Sequence, residues 1–342
     1  MHKWTLSIDR HLVRPRAWWF NKIPLSVTLM LLLVDGRALE LAVGLALLLV
    51  ALTVCSVGNY GYALNDLYDI DEDERAGRAN AAATLGRTRA GWIVIISALL
   101  AELLGLLTGG WRGGLLTLFA LVLPMLYSLP PWRIKERKWL GVAADALAAH
   151  VFPAMLALLA VAHFHIRPVP LLLIGALLAW SATAGIRGIL SHQLHTADRD
   201  RQAGLRTVVH DFGYLRIERF IAFVLLPIEV IGFLGAVAEC RVGWTGLALG
   251  LAYLLYEAIK ATIGGFTVIA FRPAGQPYIP FVEESFYKAW GPILMSLDAA
   301  RADPAFLIAI PLYWLLFRPH LRVEAARLHA VAQALFKAPK PG

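Results

Sequence analysis

Apolar runs of about 20 residues recur along this chain, and they constrain its fold more than any other feature. Each is long enough to cross the roughly 30 Å hydrocarbon core of a bilayer at helical rise. Inside that core the chain must satisfy every backbone N–H and C=O itself, which leaves helices or a closed barrel, and the alternating pattern of barrel strands is absent. The runs fall near 17–34, 38–64, 91–108, 115–129, 141–162, 168–190, 220–238 and 242–271, with a shorter ninth at 305–317. They predict an all-α polytopic membrane protein, a single bundle of about nine transmembrane helices. One domain is expected over 1–342, with core spans at about 17–317 and a basic C-terminal tail at 318–342. With 58% of residues hydrophobic and 16% charged, the chain has too little polar surface to cover a water-soluble globule, so the lipid bilayer is its expected solvent.

The first run follows Lys3, Arg10, Arg14 and Arg16 without a small-residue cleavage site and is expected to remain as an anchor. Cys55 lies in an apolar run and Cys240 in a connection, which gives neither a disulfide framework nor a metal knuckle. The net charge of +8 does not call for a nucleic-acid partner, because the basic residues collect in alternate connections. Arg75, Arg78, Arg87 and Arg89 follow the second run, and Arg133, Lys135, Arg137 and Lys138 follow the fourth. Arg187, Arg199, Arg201, Arg206, Arg216 and Arg219 follow or close the sixth. The intervening connections hold Arg37, Arg112, Arg167 and Arg241, one apiece. This asymmetry predicts a cytoplasmic N-terminus and cytoplasmic large loops. Nine spans would then leave the tail, with Arg318, Arg322, Arg327, Lys337 and Lys340, on the outer side. Either 305–317 is interfacial or re-entrant, or 278–297 crosses despite Glu283, Glu284 and Lys288.

Chemistry concentrates in three loops. After the second run the chain reads Asn65-Asp66-Leu67-Tyr68-Asp69-Ile70-Asp71-Glu72-Asp73, and on a helix Asp66, Asp69 and Asp73 share one face. A solvated acidic loop is the plain alternative, but the full NDxxDxxxD spacing on the end of an apolar helix favours a hard divalent cation, best Mg2+, which bridges carboxylates to phosphates. The basic loop at 127–138 would face it, as a diphosphate requires: cations take phosphate oxygens while carboxylates hold metal. In the third loop, His192, Gln193, Thr196 and Asp200 fall where Asn65, Asp66, Asp69 and Asp73 stand in the first, a degenerate internal repeat.

The NDxxDxxxD at 65–73, the YSxxPxRxK at 127–135 and the DRxAGxRT at 200–207 together resemble the UbiA superfamily of membrane prenyltransferases. The resemblance spans roughly 14–207. It implies a helical bundle around a pocket open to lipid, with two cytoplasmic loops holding Mg2+ and an isoprenyl diphosphate. By matching positions it implies Asn65, Asp66, Asp69 and Asp73 at the first metal and Asp200 at the second. It also implies Tyr127, Arg133 and Lys135 near the diphosphate, with Lys22 of the first span reaching it. Gln193 and Thr196 depart from the family, which usually carries aspartates there. Neutral oxygens bind Mg2+ more weakly, so Asp198 substitutes, or the second metal is loosely held, or it is absent. Asp198 and Asp200 are i, i+2 and share no helical face unless the backbone unwinds.

The implied function is Mg2+-dependent prenyl transfer from an allylic diphosphate to a lipophilic, membrane-associated acceptor, with metal and cations stabilising the leaving group. Apolar and aromatic walls including Trp18, Trp19, Tyr60 and Tyr62 would shelter the allylic cation. The alternatives are cyclisation without an acceptor, phosphoribosyl transfer to a lipid phosphate, and transport. Glu257 and Lys260, inside an apolar run, are expected to be a structural ion pair, Asp145 and His150 to hydrogen-bond within the bundle, and 283–290 to form an interfacial helix.

Overall fold

The computed structural model describes residues 20–34, 36–75, 77, 79–202, 206–240, 242, 244–263, 268–269, 279–280 and 283–336. The basic N-terminal segment with Trp18 and Trp19, and Arg78, Arg241, Lys337 and Lys340, lie outside the described residues, as do 203–205 of the third motif. The apolar runs fold as helices. In chain order the membrane-length segments are α1 (Phe20–Val34), α2 (Leu41–Tyr68) and the hairpin α5 (Arg87–Ser128). They continue with α6 (Trp139–Ala146) leading into α7 (Phe152–His163), then α8 (Leu171–Gln202), α10 (Tyr214–Phe220) leading into α11 (Leu226–Glu239), and α12 (Trp244–Thr262). Short helices α3 (Ile70–Arg75), α4 (Ala81–Leu85) and α9 (Val208–Phe212) sit in the loops at one end.

The 42 residues of α5 are two antiparallel legs, because Gly109 and Gly110 leave helical geometry and Gly110 takes φ +61°. The two spans read separately from the sequence are therefore joined by a turn tighter than a loop. A Cβ on Gly105 would lie 2.1 Å from Thr117 Oγ1, so glycine lets the legs touch, which is how helices associate where lipid is as apolar as the side chains. Asn59 Nδ2 donates to Ser97 Oγ at 2.7 Å, and Thr53 and Thr108 hydroxyls meet at 3.0 Å, fastening α2 to the first leg.

Contacts between loops define two ends of the bundle. At the first, the α2–α3 junction meets the 133–135 loop, and the end of α8 meets α9 and α10 over a small core of Val142, Leu190, Leu194, Val208, Val209 and Ile217. At the other end Arg37 Nε donates to the Ile166 carbonyl at 2.7 Å, and Leu39 N donates to Asp303 Oδ2 at 2.9 Å. Backbone N–H groups of Ala305 and Leu39 hold the Asp303 carboxyl below its usual range.

The C-terminal third corrects the sequence reading. A π-helical segment, Glu283–Trp290, runs into α13 (Gly291–Ala299), and Ser285, Phe286, Tyr287 and Ala289 within it are buried rather than interfacial. It starts beside Lys260, in the last turn of α12, and leads to Asp303 at the opposite end, so the chain crosses the bundle here despite Lys288. Pro304–Leu316, which includes α14 (Ala309–Leu316), then runs back and bends by 91° into α15 (Arg318–Phe336). Most of the expected basic tail is thus a helix, α15, whose Glu324 meets Tyr256 of α12 and Ser285. Among the described residues five helical segments qualify as spans by length and apolarity, or six with the bent pair, so these criteria do not fix the number at nine.

Two buried charge networks fasten this region. Arg187 and Glu229, each 1% exposed, form a bidentate pair at 2.6 and 2.7 Å, and Tyr287 Oη donates to Glu229 while accepting from Trp180 Nε1. Lys260 bonds Glu257 at 2.7 Å, the structural pair expected, and also donates to Ser285 Oγ, which donates to Glu324 of α15. Charges this deep need partners, and although Glu257 Oε2 is left without one, the bonds made join α8, α11, α12 and α15 to the 283–290 segment.

Candidate active site

The acidic motif ends α2. Asp69 caps the helix at φ −99°, yet its N–H still bonds the Asn65 carbonyl and Asp73 N bonds the Asp69 carbonyl, so near-helical spacing continues into α3. Asp66 and Asp69 are buried and Asp73 half-buried. Lys135 Nζ donates to both oxygens of Asp69 at 2.6 Å. Arg133 reaches Glu72 at 2.7 Å, Glu136 at 2.6 Å and Asp69 at 3.6 Å. Burial lowers the Arg133 pKa, but hydrogen bonds to Glu136 and Glu72 outweigh it and raise it above its ordinary value. Arg133 adopts φ +33°, ψ +53°, and this left-handed turn presents two cations two residues apart to one acidic cluster.

Asn80, absent from the sequence reading, is the second organiser. Its amide donates to the Asp66 carbonyl at 2.8 Å and to Asp73 Oδ2 at 2.9 Å, and its own carbonyl oxygen caps α4 through Ala83 N. The N-cap pattern of an Asn before Ala81-Ala82-Ala83 was the available signal. Ser128 Oγ donates to Asn65 Oδ1 at 3.2 Å, joining the first and second motifs.

Below this mouth lies a polar layer inside the bundle. Tyr127 is within electrostatic reach of Asp69, Tyr62 and Asp145, and Asp145 within reach of Lys22 and His192. Lys22, Tyr127 and Asp69 of the first motif thus stand in one polar layer with Asp145, which the sequence alone marks only as an ordinary bundle residue.

The third motif is organised differently. α8 stays helical through Gln202, so Asp198 and Asp200 point apart. Thr196 Oγ1 donates to Asp200 Oδ2 at 2.7 Å, whereas exposed Asp198 accepts from Tyr214 Oη at 3.3 Å. Gln193 Oε1 is buried without a hydrogen-bond partner. Lys138 ties this end to Asp211 and holds the Asp211 carboxyl below its usual range. Among the described residues no three His, Cys, Asp or Glu side chains converge on one point; in the first motif Lys135 holds the Asp69 carboxylate and Asn80 that of Asp73.

The UbiA prenyltransferase family model matches residues 24–263. The chain belongs to the UbiA prenyltransferase family. It is accordingly a prenyl-transferring enzyme and an integral, multi-pass membrane protein. Solved structures share the fold. A UbiA homologue from Archaeoglobus fulgidus, seen with DMAPP and Mg2+ and again with GPP and Mg2+, is 21% identical, with TM-score 0.58 over 87% of this chain and 98% of its own. A structure concerning digeranylgeranylglyceryl phosphate synthase is 15% identical, with TM-score 0.54 over 88% of this chain and 96% of its own. No curated protein matches the sequence significantly.

Proposed function

We propose that this UbiA-family enzyme transfers an isoprenyl group from an allylic diphosphate to a membrane-associated acceptor, using Mg2+ held by Asp66, Asp69 and Asp73 and, more weakly, by Asp200. The observation that carries the reading is the approach of Arg133 and Lys135 to the acidic end of α2, with Tyr127, Asp145 and Lys22 in a polar layer within electrostatic reach of it. The A. fulgidus homologue binds DMAPP or GPP with Mg2+, which agrees with it.

The residues fit the metal by donor chemistry, since hard carboxylate oxygens flanked by the Asn65 amide suit Mg2+, and the Lys135 ammonium stands against Asp69 as a cation would. When bound, Mg2+ supplies positive charge to the departing diphosphate. Arg133 and Lys135 then exchange carboxylates for phosphate oxygens, and Lys22 adds a cation from below. Breakage of the allylic C–O bond leaves its electron pair on the diphosphate, and the acceptor forms its new bond to the allylic carbon and gives up the proton it carried there, which the released diphosphate can take. Thr196 and Asp200 hold the far side. Asp198, bonded to Tyr214, does not replace the lost aspartates. On this reading the acidic end faces the cytoplasm, as the basic residues around it favour.

The test is to incubate purified enzyme with a panel of allylic diphosphates, Mg2+ and lipophilic acceptors, and to identify products by mass spectrometry. An acceptor-dependent prenyl adduct is expected. An acceptor-free hydrocarbon would establish a cyclase instead, and no diphosphate release would refute the reading.

A further inference from the structure

Helix α15 (Arg318–Phe336) contributes none of the residues assigned to the diphosphate, and it lies beyond residues 24–263, the part matched by the family model. It leaves the apolar segment Pro304–Leu316 at 91°. That segment faces lipid, with Leu312, Trp314, Leu315 and Leu316 half exposed or more. A helix that turns through a right angle where such a segment ends runs along the membrane surface rather than away from it. The residues at the turn fit that level. The Arg318 guanidinium lies over the Trp314 ring, 4.8 Å from its centroid. Trp and Arg side chains, apolar in the body and polar at the tip, settle where hydrocarbon meets head groups.

Around α15 the side chains sort by chemistry. Leu321, Leu328 and Leu335 stand at i−3, i+4 and i+11 from Glu324 and share its face. Glu324 is buried and fastens that face to the bundle: it accepts from Tyr256 Oη, Ser285 Oγ and Trp290 Nε1 and pairs with Arg327. Leu328 and Leu335 are 41% and 52% exposed, so they carry the apolar face beyond the cover that the described residues give it. Arg318, Arg322 and His329, at i, i+4 and i+11, share a second face and are exposed. Glu324 is the one acid of the helix, so its exposed charge is all positive, and the sequence adds Lys337 and Lys340 just after it. An uncovered apolar stripe beside a row of cations is the pattern of a helix lying in the interface of an anionic bilayer.

We propose that α15 is an interfacial helix that binds anionic phospholipid: Leu328 and Leu335 rest against the acyl chains, and Arg318 and Arg322 take the phosphates of the head groups. Arg suits that task because its guanidinium meets phosphate oxygens with two donors at once. The bonds of Glu324 hold the helix to the bundle at one point, and lipid covers the rest of its apolar face. The assignment stands apart from the chemistry proposed for the acidic motif.

The test uses full-length protein in nanodiscs, with a bimane fluorophore on Leu328→Cys or on Gln333→Cys, which stands on the side of the helix away from Glu324. The signal of protein bearing only Cys55 and Cys240 is subtracted. Lipids brominated on their acyl chains quench only a label that touches those chains, and iodide quenches only one that meets water. The Leu328→Cys label is expected to be quenched by the lipids and the Gln333→Cys label by iodide. Brominated phosphatidylglycerol should be preferred over brominated phosphatidylcholine by about five-fold or more, the effect of one cation near an anionic surface. In Arg318→Gln/Arg322→Gln that preference should vanish while quenching by the acyl chains persists. Equal quenching by the two lipids in the wild type, or a preference unchanged in the double variant, would overturn the proposal. A Leu328→Cys label open to iodide would place the helix in water, and one shielded from iodide and lipid alike would mean that a second copy covers the face; either result also overturns it.

Discussion

Replacing Lys135 by methionine separates two roles that one contact combines. Its ammonium lies 2.6 Å from both Asp69 oxygens, with side chains 15% and 9% exposed. At an effective dielectric near 20 the gross attraction is about 6 kcal/mol. Desolvation leaves about 1.5–3 kcal/mol net for a hydrogen bond between charged groups. The same lysine is proposed to bind a diphosphate oxygen, so Lys135→Met should lower kcat/KM for the allylic diphosphate roughly ten- to hundred-fold. It also removes the competitor for Asp69, leaving only Arg133 at 3.6 Å, so the Mg2+ concentration for half-maximal rate should fall a few-fold. Initial rates of diphosphate release across a Mg2+ titration measure both. An unchanged kcat/KM, or a rise in the Mg2+ requirement, would refute the reasoning.

Asp200→Asn should cut turnover severely and Asp198→Asn only a few-fold, because Asp198 is exposed and bonded to Tyr214; equal losses in steady-state assays would show that Asp198 does substitute. Arg187→Met or Glu229→Gln should each cost about 3–5 kcal/mol, read as a lowered Tm in detergent, because each leaves a buried charged or polar partner unmatched. Combining Arg187→Met with Glu229→Gln should cost less than the sum of the two, and additive losses would contradict the pairing argument. A single cysteine in place of Lys138 should react with an impermeant maleimide only from the cytoplasmic side, and labelling from outside would invert the topology.

What the sequence disclosed was local. NDxxDxxxD and YSxxPxRxK are contiguous, so their residue types and spacing could be read directly, and hydropathy marked most of the helices. Contacts between distant segments left no periodic trace. Arg187 and Glu229 stand 42 residues apart, and neither neighbourhood reveals the other. The charges of 283–290 suggested a membrane surface, but Lys260 and Glu324 meet Ser285 in the interior and give the segment polar partners as it crosses. Asp145 carries no sign in its own neighbourhood that Lys22 and His192 reach it from other elements. Asn80 was missed because a cap residue gives no sign that its amide also spans two aspartates.

The central claim is that the acidic end of α2 holds metal and diphosphate together. The most direct measurement is equilibrium binding of a non-hydrolysable allylic thiodiphosphate to purified enzyme, with Mg2+ or with chelator, for the wild type and Asp69→Asn. The account predicts saturable binding that requires Mg2+ and weakens by roughly 10²-fold in a folded Asp69→Asn protein, about the loss of one strong electrostatic stabiliser. Equal binding in chelator, or unchanged affinity in Asp69→Asn, would contradict it.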